Sequence, residues 1–173
     1  MGQKICAILT NEKSQYNKNL VHFFEESIVI IPLDLNGSTI EYFIKEADSF
    51  NTIKEYLQYL KTLPIYETQA NSSYYEHNIK SIVDIIETYE LKTFSIRYYT
   101  EWADIPDDDF YIAIVNGEIK RDSIVLEDEK YIGNSNNREK YNNLIGLNSS
   151  WIANENRYFN YNHAKKEYTK NIG

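Results

Sequence analysis

Ten carboxylates crowd into residues 101–129, EWADIPDDDFYIAIVNGEIKRDSIVLEDE, against two basic residues. Carboxylates at such density could do three things. A pair can move protons, a spaced set can hold a divalent cation, and an exposed face can receive a basic protein. Asp107, Asp108 and Asp109 are adjacent and stand just ahead of an apolar strand. Successive strand residues point to opposite faces, so the three cannot all grip one ion. Metal-binding acids of sheet enzymes more often follow a strand at its carboxyl end. The spaced oxygens and glycine of a calcium loop are absent, so no metal and no other cofactor is expected. His22, His77 and His163 are scattered, with no HExxH pair, and each reads as a surface or half-buried side chain. Cys6, the single cysteine, lies in the apolar run ICAIL and reads as a small buried hydrophobe. No nucleophile elbow occurs, and the six glycines are isolated, so no phosphate-cradling loop is present. The sequence gives no support for an enzyme.

The third use of the carboxylates fits better. Pairing around Asn116-Gly117 lays residues 109–115 beside 118–125. Asp107, Asp108 and Asp109 then fall near Glu127, Asp128 and Glu129, at the end away from the turn. Glu101 and Asp104 enter from the preceding strand. Three segments thus deliver acids to one end of a sheet, with Trp102, Tyr111 and Tyr131 as neighbouring aromatic anchors. A single charge run is ordinarily a solvated rim, but convergence of this kind is what a docking surface for a basic protein requires. The expected partner-binding set is Glu101, Trp102, Asp104, Asp107, Asp108, Asp109, Tyr111, Glu127, Asp128 and Glu129.

The charge map agrees. Formal net charge is −8. Residues 1–100 contribute −4, residues 101–129 contribute −8 and residues 130–173 contribute +4. A field of this sign repels nucleic acid and anionic membrane, and it attracts basic proteins. The predicted partner is therefore a basic protein, with no nucleic acid and no membrane; the chain itself is expected as a monomer or weak homo-oligomer. Sixteen tyrosines suit a binding surface, although with many Ile, Asn and Lys they also fit an AT-rich genome. One cysteine excludes an internal disulfide. The five-residue apolar run after Lys4 is too short for a signal peptide, and no apolar stretch approaches a membrane span. Met1-Gly2 lacks the Ser or Thr at position 6 that myristoylation wants. A soluble, cytoplasmic protein is the expectation.

The elements that must position these residues can be read in outline. Residues 4–10 read as a buried strand. Ser14 would cap a helix over about 15–26. SIVIIPLDL reads as a strand whose Pro32 points to an edge or bulge. Asn36-Gly37 would turn a hairpin into STIEYFI. A helix over about 49–62, started by Asp48 or Ser49, carries Phe50, Ile53, Leu57 and Leu60 on one face and ends at Pro64. Ser73 and Glu76 form a capping-box pattern for a helix over about 74–90. Period-two alternation marks TFSIRYYTEW as a half-buried strand, and DFYIAIV, apolar on both faces, as a central one. Asn116-Gly117 closes a second hairpin onto EIKRDSIVLE. From 133 on, eleven of 41 residues are Asn; a helix near 138–145 is expected, with Trp151, Tyr158, Phe159 and Tyr161 docking parts of this segment on the body. There is no internal repeat. The expectation is one α+β domain over 1–173, with a mixed, mainly antiparallel sheet and two or more helices packed on one face. The alternative is a Rossmann-like start, since strand, helix, strand opens the chain.

IVIIPLDLNGST resembles the first motif of the haloacid-dehalogenase phosphatases, an apolar strand ending in Asp-Xaa-Asp-Gly-Thr, and YIGNSNN is similar to that family's last motif. In that alignment Asp34 stands at the first Asp of the motif. The sequence departs from the family where Asn36 stands for the acid/base Asp and where Asn134 and Asn137 stand for metal-binding acids, which leaves Asp34 without a proton partner or a magnesium site.

The leading functional expectation is a protein-binding inhibitor: a bacterial immunity protein that neutralises a cognate basic toxin, such as a nuclease, through its acidic surface. Alternatives are a small carboxylate-using or metal-dependent enzyme, and a structural or adaptor protein docking through the Asn-rich tail.

Overall fold

A computed structural model describes residues 3–25, 27–66, 75–102, 105–126, 135–146 and 161–172, with the backbone alone at 3–4, 101–102, 105–107, 135–136 and 172. Six strands form one sheet: β1 Gln3–Thr10, β2 Phe23–Glu25, β3 Ile28–Pro32, β4 Phe94–Trp102, β5 Ile105–Val115 and β6 Glu118–Leu126. Their order is β2-β3-β1-β4-β5-β6, and every neighbouring pair is antiparallel. The α+β expectation stands. The Rossmann-like alternative does not, because β1 and β3 run in opposite directions.

Three helices, α1 Gly37–Ala47, α2 Ile53–Leu60 and α3 Ile79–Thr88, cover one face of the sheet. Each is amphipathic at the helical period. Ile40, Phe43 and Ile44 of α1, Tyr56 and Leu60 of α2, and Ile82 and Ile86 of α3 join Ile8, Ile31, Phe94, Ile96 and Ile112 of the strands in one core. The opposite face is also covered. Tyr111, Ala113 and Val125 pack against Tyr141 of α4 (Ser135–Ile145). Tyr161 and Tyr168 of α5 (Tyr161–Ile172) pack against Val21. β5 is therefore buried on both sides, as its unbroken apolar run indicates.

Several elements differ from the sequence reading. Asn36-Gly37 turns no hairpin. Asn36 caps α1, its side chain accepting the Ser38 N–H at 2.9 Å. The following residues carry Thr39, Ile40, Phe43, Ile44 and Ala47 at helical spacing, all buried, and that burial outweighs the turn preference of the dipeptide. No helix spans 15–26: residues 11–22 are turns and irregular chain, and Phe23–Glu25 pairs with β3. Paired aromatics suit a pleated edge better than a helix. The helix expected over 49–62 is the shorter α2, capped by Thr52, whose hydroxyl accepts the Glu55 N–H. In α3 the capping box is Asn78 with Ser81, not Ser73 with Glu76; Ser73 lies outside the described residues. Pro32 sits at the C-terminal end of β3 opposite Ala7, where its missing N–H costs the ladder little.

The second hairpin forms as read. Asn116 and Gly117 hold φ of 51° and 80°, the left-handed values that a two-residue turn demands. Its ladder is not regular, however. Val115 pairs with Glu118, which would set Phe110 against Ser123, yet Phe110 faces Leu126. A bulge in β6 absorbs the offset and carries Asp122 out toward α4. The helix expected near 138–145 is α4, and Tyr161 docks as expected; Trp151, Tyr158 and Phe159 lie outside the described residues.

Candidate functional site

The acidic end is built by the register of β4 and β5. Thr100 pairs with Asp108, Glu101 with Pro106 and Trp102 with Ile105. Asp107 is the extra residue at the register shift between Thr100 and Glu101, a β-bulge of the kind that re-aims a strand end. Asp108 anchors its own backbone N–H on the Thr100 hydroxyl at 3.1 Å and is half-buried. The backbone thus brings Glu101, Trp102, Asp107 and Asp108 to one end of adjacent strands. Asp104, Glu127, Asp128 and Glu129 lie outside the described residues, as does Tyr131. β6 delivers the chain to this end at Leu126, opposite Phe110.

Asp109 and Tyr111 are not part of an exposed surface, and this corrects the sequence reading. They sit on the face of β5 that α4 covers. Asp109 is 8% exposed and lies between two guanidinium groups: Oδ2 accepts from Arg138 Nη1 of α4 at 2.6 Å, and Oδ1 is 3.2 Å from Arg97 Nη2 of β4. The side chains of Arg97 and Arg138 are 12% and 13% exposed. The Arg97 contact is one of charge without hydrogen-bond alignment, since Asp109 Oδ1 and Arg97 Nε have no hydrogen-bond partner among the described residues. Burial pulls the Arg97 pKa below its ordinary value, with Asp109 opposing the shift. Tyr111 is wholly buried, donates its hydroxyl to Asn142 Oδ1 of α4 at 2.9 Å, and has its pKa pushed up by that burial. Both residues bind α4 to the sheet rather than offering an anchor to a partner.

Two more of the ten acids are committed within the chain. Asp122 accepts from the Tyr141 hydroxyl at 2.6 Å, and Glu118 pairs with Lys120 at 2.9 Å. The sequence missed the α4 partners because nothing in the spacing of Arg138, Tyr141 and Asn142 announces what they meet. One signal was readable: Arg97 lies at an inward position on the Tyr111 side of β4, and a charge in a strand covered on both faces needs a buried counter-ion.

A second cluster went unread. The chain leaving β3 and the chain entering α3 clasp each other. His77 Nδ1 accepts the Asp34 N–H at 2.8 Å, the His77 N–H returns to Asp34 O at 3.2 Å, and the Glu76 N–H reaches Asp34 Oδ2 at 3.0 Å. From α5, Lys165 Nζ meets Glu76 Oε1 at 2.6 Å and the Tyr161 hydroxyl meets Oε2 at 3.1 Å. The Tyr161 ring stands edge-on to His77, with centroids 5.1 Å apart. Desolvation lowers the His77 pKa, and the Lys165 contact lowers that of Glu76. With Nδ1 accepting a backbone donor, the neutral imidazole carries its proton on Nε2. It cannot gain a second proton without breaking that bond. Glu76 has both oxygens engaged. The cluster holds three segments together, with His77 Nδ1 and both Glu76 oxygens engaged.

Among the described residues no three His, Cys, Asp or Glu side chains converge as a metal site would need, and no helix is long and apolar enough to cross a membrane. Comparison with protein-family models, curated proteins and solved structures finds no match to this chain.

Proposed function

We propose that this protein works by binding a basic protein, as an inhibitor of the kind bacteria make for immunity against a cognate toxin, with a nuclease as the best-fitting target. The observation that carries the reading is the charge map laid on the register of β4 and β5: residues 101–129 hold an excess of eight negative charges, and Glu101, Asp107 and Asp108 share one end of the sheet. A nuclease presents a basic groove for phosphates, and a carboxylate-rich sheet end can steer toward it and cover it. The ion pairs of Asp109 and Glu118 and the Tyr141 hydrogen bond to Asp122 narrow this surface to the strand end.

The test is capture of a basic partner at low and high salt, followed by Glu101→Gln, Asp107→Asn and Asp108→Asn. Each should slow association, and the triple change should flatten the salt dependence. Unchanged affinity in the triple variant would rule out this surface as the binding site. Asp109→Asn is unsuited to this test, because it alters the interior.

One observation favours a second reading, a small carboxylate-using enzyme. Asp34 and Glu76 are held together in different environments, the one half-buried and bonded to a backbone amide, the other exposed and paired with Lys165. Turnover of any substrate that falls on Asp34→Asn with stability intact would favour it over the inhibitor.

A further inference from the structure

Beside Glu76 lies an open surface groove of about 650 Å³, lined by the exposed side chains of Glu76 and of Asn162, Lys165, Lys166, Thr169 and Lys170 of α5. A volume of this size suits a small molecule. The five helix residues fall at steps of 3, 1, 3 and 1, which places them along one flank of α5. The adjoining flank, Tyr161, Ala164 and Tyr168, is buried against the body. Glu167, the only acid of α5, sits at neither set of positions. The helix therefore sorts its charges: three ammonium groups, an amide and a hydroxyl face the groove.

Glu76 does not cancel this set. Its carboxylate is engaged by Lys165 and by Tyr161, leaving Lys166 and Lys170 exposed, with no carboxylate partner among the described residues. The local excess is two positive charges in a chain whose net charge is −8. Lysine serves phosphate as a point charge, and the Asn162 amide and Thr169 hydroxyl add directional donors.

We propose that the α5 groove is a binding site for a phosphate group carried on a small molecule, with Lys166 and Lys170 as the charge contacts and Asn162 and Thr169 as the hydrogen-bond donors. The site shares no residue with the acidic strand end, and its occupancy does not depend on the inhibitor reading.

The experiment is an NMR titration of the intact chain with inorganic phosphate and with glycerol 3-phosphate, at ionic strength held constant with sodium chloride. Amide shifts confined to α5 and residues 75–78 should saturate. Binding should weaken about tenfold in Lys166→Gln/Lys170→Gln, which removes charge from exposed positions and leaves the packed flank intact. Lys140→Gln on α4 should leave it unchanged. Co-sedimentation with phosphatidylcholine vesicles containing phosphatidic acid separates the sources of the group. Lysine-dependent binding to the soluble probes alone assigns a free metabolite. Lysine-dependent binding to vesicles that glycerol 3-phosphate competes away assigns a headgroup. Shifts that fail to saturate, that chloride reproduces, or that survive the double variant would overturn the proposal.

Discussion

Asp109→Asn is the substitution that tests the reasoning about α4 most directly. It keeps the side-chain volume and one carbonyl oxygen, so packing drops out and charge remains. The carboxylate stands 2.6 Å from Arg138 Nη1 and 3.2 Å from Arg97 Nη2. The amide would leave two guanidinium groups buried without a counter-charge, and its NH2 would turn a donor toward a donor. Removing one partner of a buried ion pair costs about 3–5 kcal/mol. For a chain of this size that lowers the melting temperature by about 10 °C. With a slope near 2 kcal/mol per M, the urea midpoint falls by about 2 M. Circular dichroism during urea unfolding measures it, with Glu118→Gln as the control: that carboxylate is exposed beside Lys120, and its loss should leave the midpoint within error of the parent. In an Arg138→Met background the Asp109→Asn loss should shrink by about 1–3 kcal/mol, since the two groups share one interaction. A midpoint for Asp109→Asn within error of the parent would refute the buried triad.

Three further outcomes follow from the geometry. A Cβ at Gly37 would stand 2.9 Å from the Tyr98 hydroxyl and 3.1 and 3.2 Å from Cζ and Cε1 of the same ring; Gly37→Ala should therefore cost about 1 kcal/mol despite the better helix former, and Tyr98→Phe, which leaves the ring carbons in place, should recover only part of it in a double variant measured by urea unfolding. At Gly117, φ is +80° with nothing near the missing Cβ, so Gly117→Ala should cost about 1 kcal/mol through the backbone alone, a loss that no second-site truncation restores. Burial depresses the His77 pKa, with Glu76, Asp34 and Lys165 as the charged groups around it. Its contribution to stability is complete above the unfolded value near ~6.5 and is lost as pH falls through the lower folded value. Thermal melts from pH 8 to 5 should show that loss, and His77→Gln should flatten the profile over that range; an identical profile in the variant would remove His77 as its cause.

How far the sequence reveals the molecule depends on the kind of signal. β4, β5 and the Asn116-Gly117 turn are legible, because period-two alternation and a left-handed dipeptide act locally and agree with each other. Asn36-Gly37 is the instructive contrast: the same dipeptide caps a helix, since the apolar residues after it recur at 3 and 4 rather than at 2. Phe23–Glu25 looks helical by its neighbours and becomes a strand only because β3 has a free edge, a fact of tertiary assembly. The acidic end is legible as composition. Which of its carboxylates face inward is not, because Arg97 and Arg138 reach Asp109 from elements 12 and 29 residues away in the chain. The groove along α5 depends on Glu76, 89 residues from Lys165, and no local pattern links the two.

The place of β1 in the sheet has a consequence for how the chain is made. β1 is the third strand across and pairs with β4 from Gln3↔Glu101 to Thr10↔Phe94. At about 5–20 residues per second, a ribosome needs roughly 5–18 s to make the intervening chain. Through that interval Ala7, Ile8 and Leu9 have β3 on one side and no partner on the other. Ladders closed over such separations form slowly. The β1 segment is thus apolar and unpaired along one edge until β4 is made, the kind of transiently exposed surface on which chaperones act.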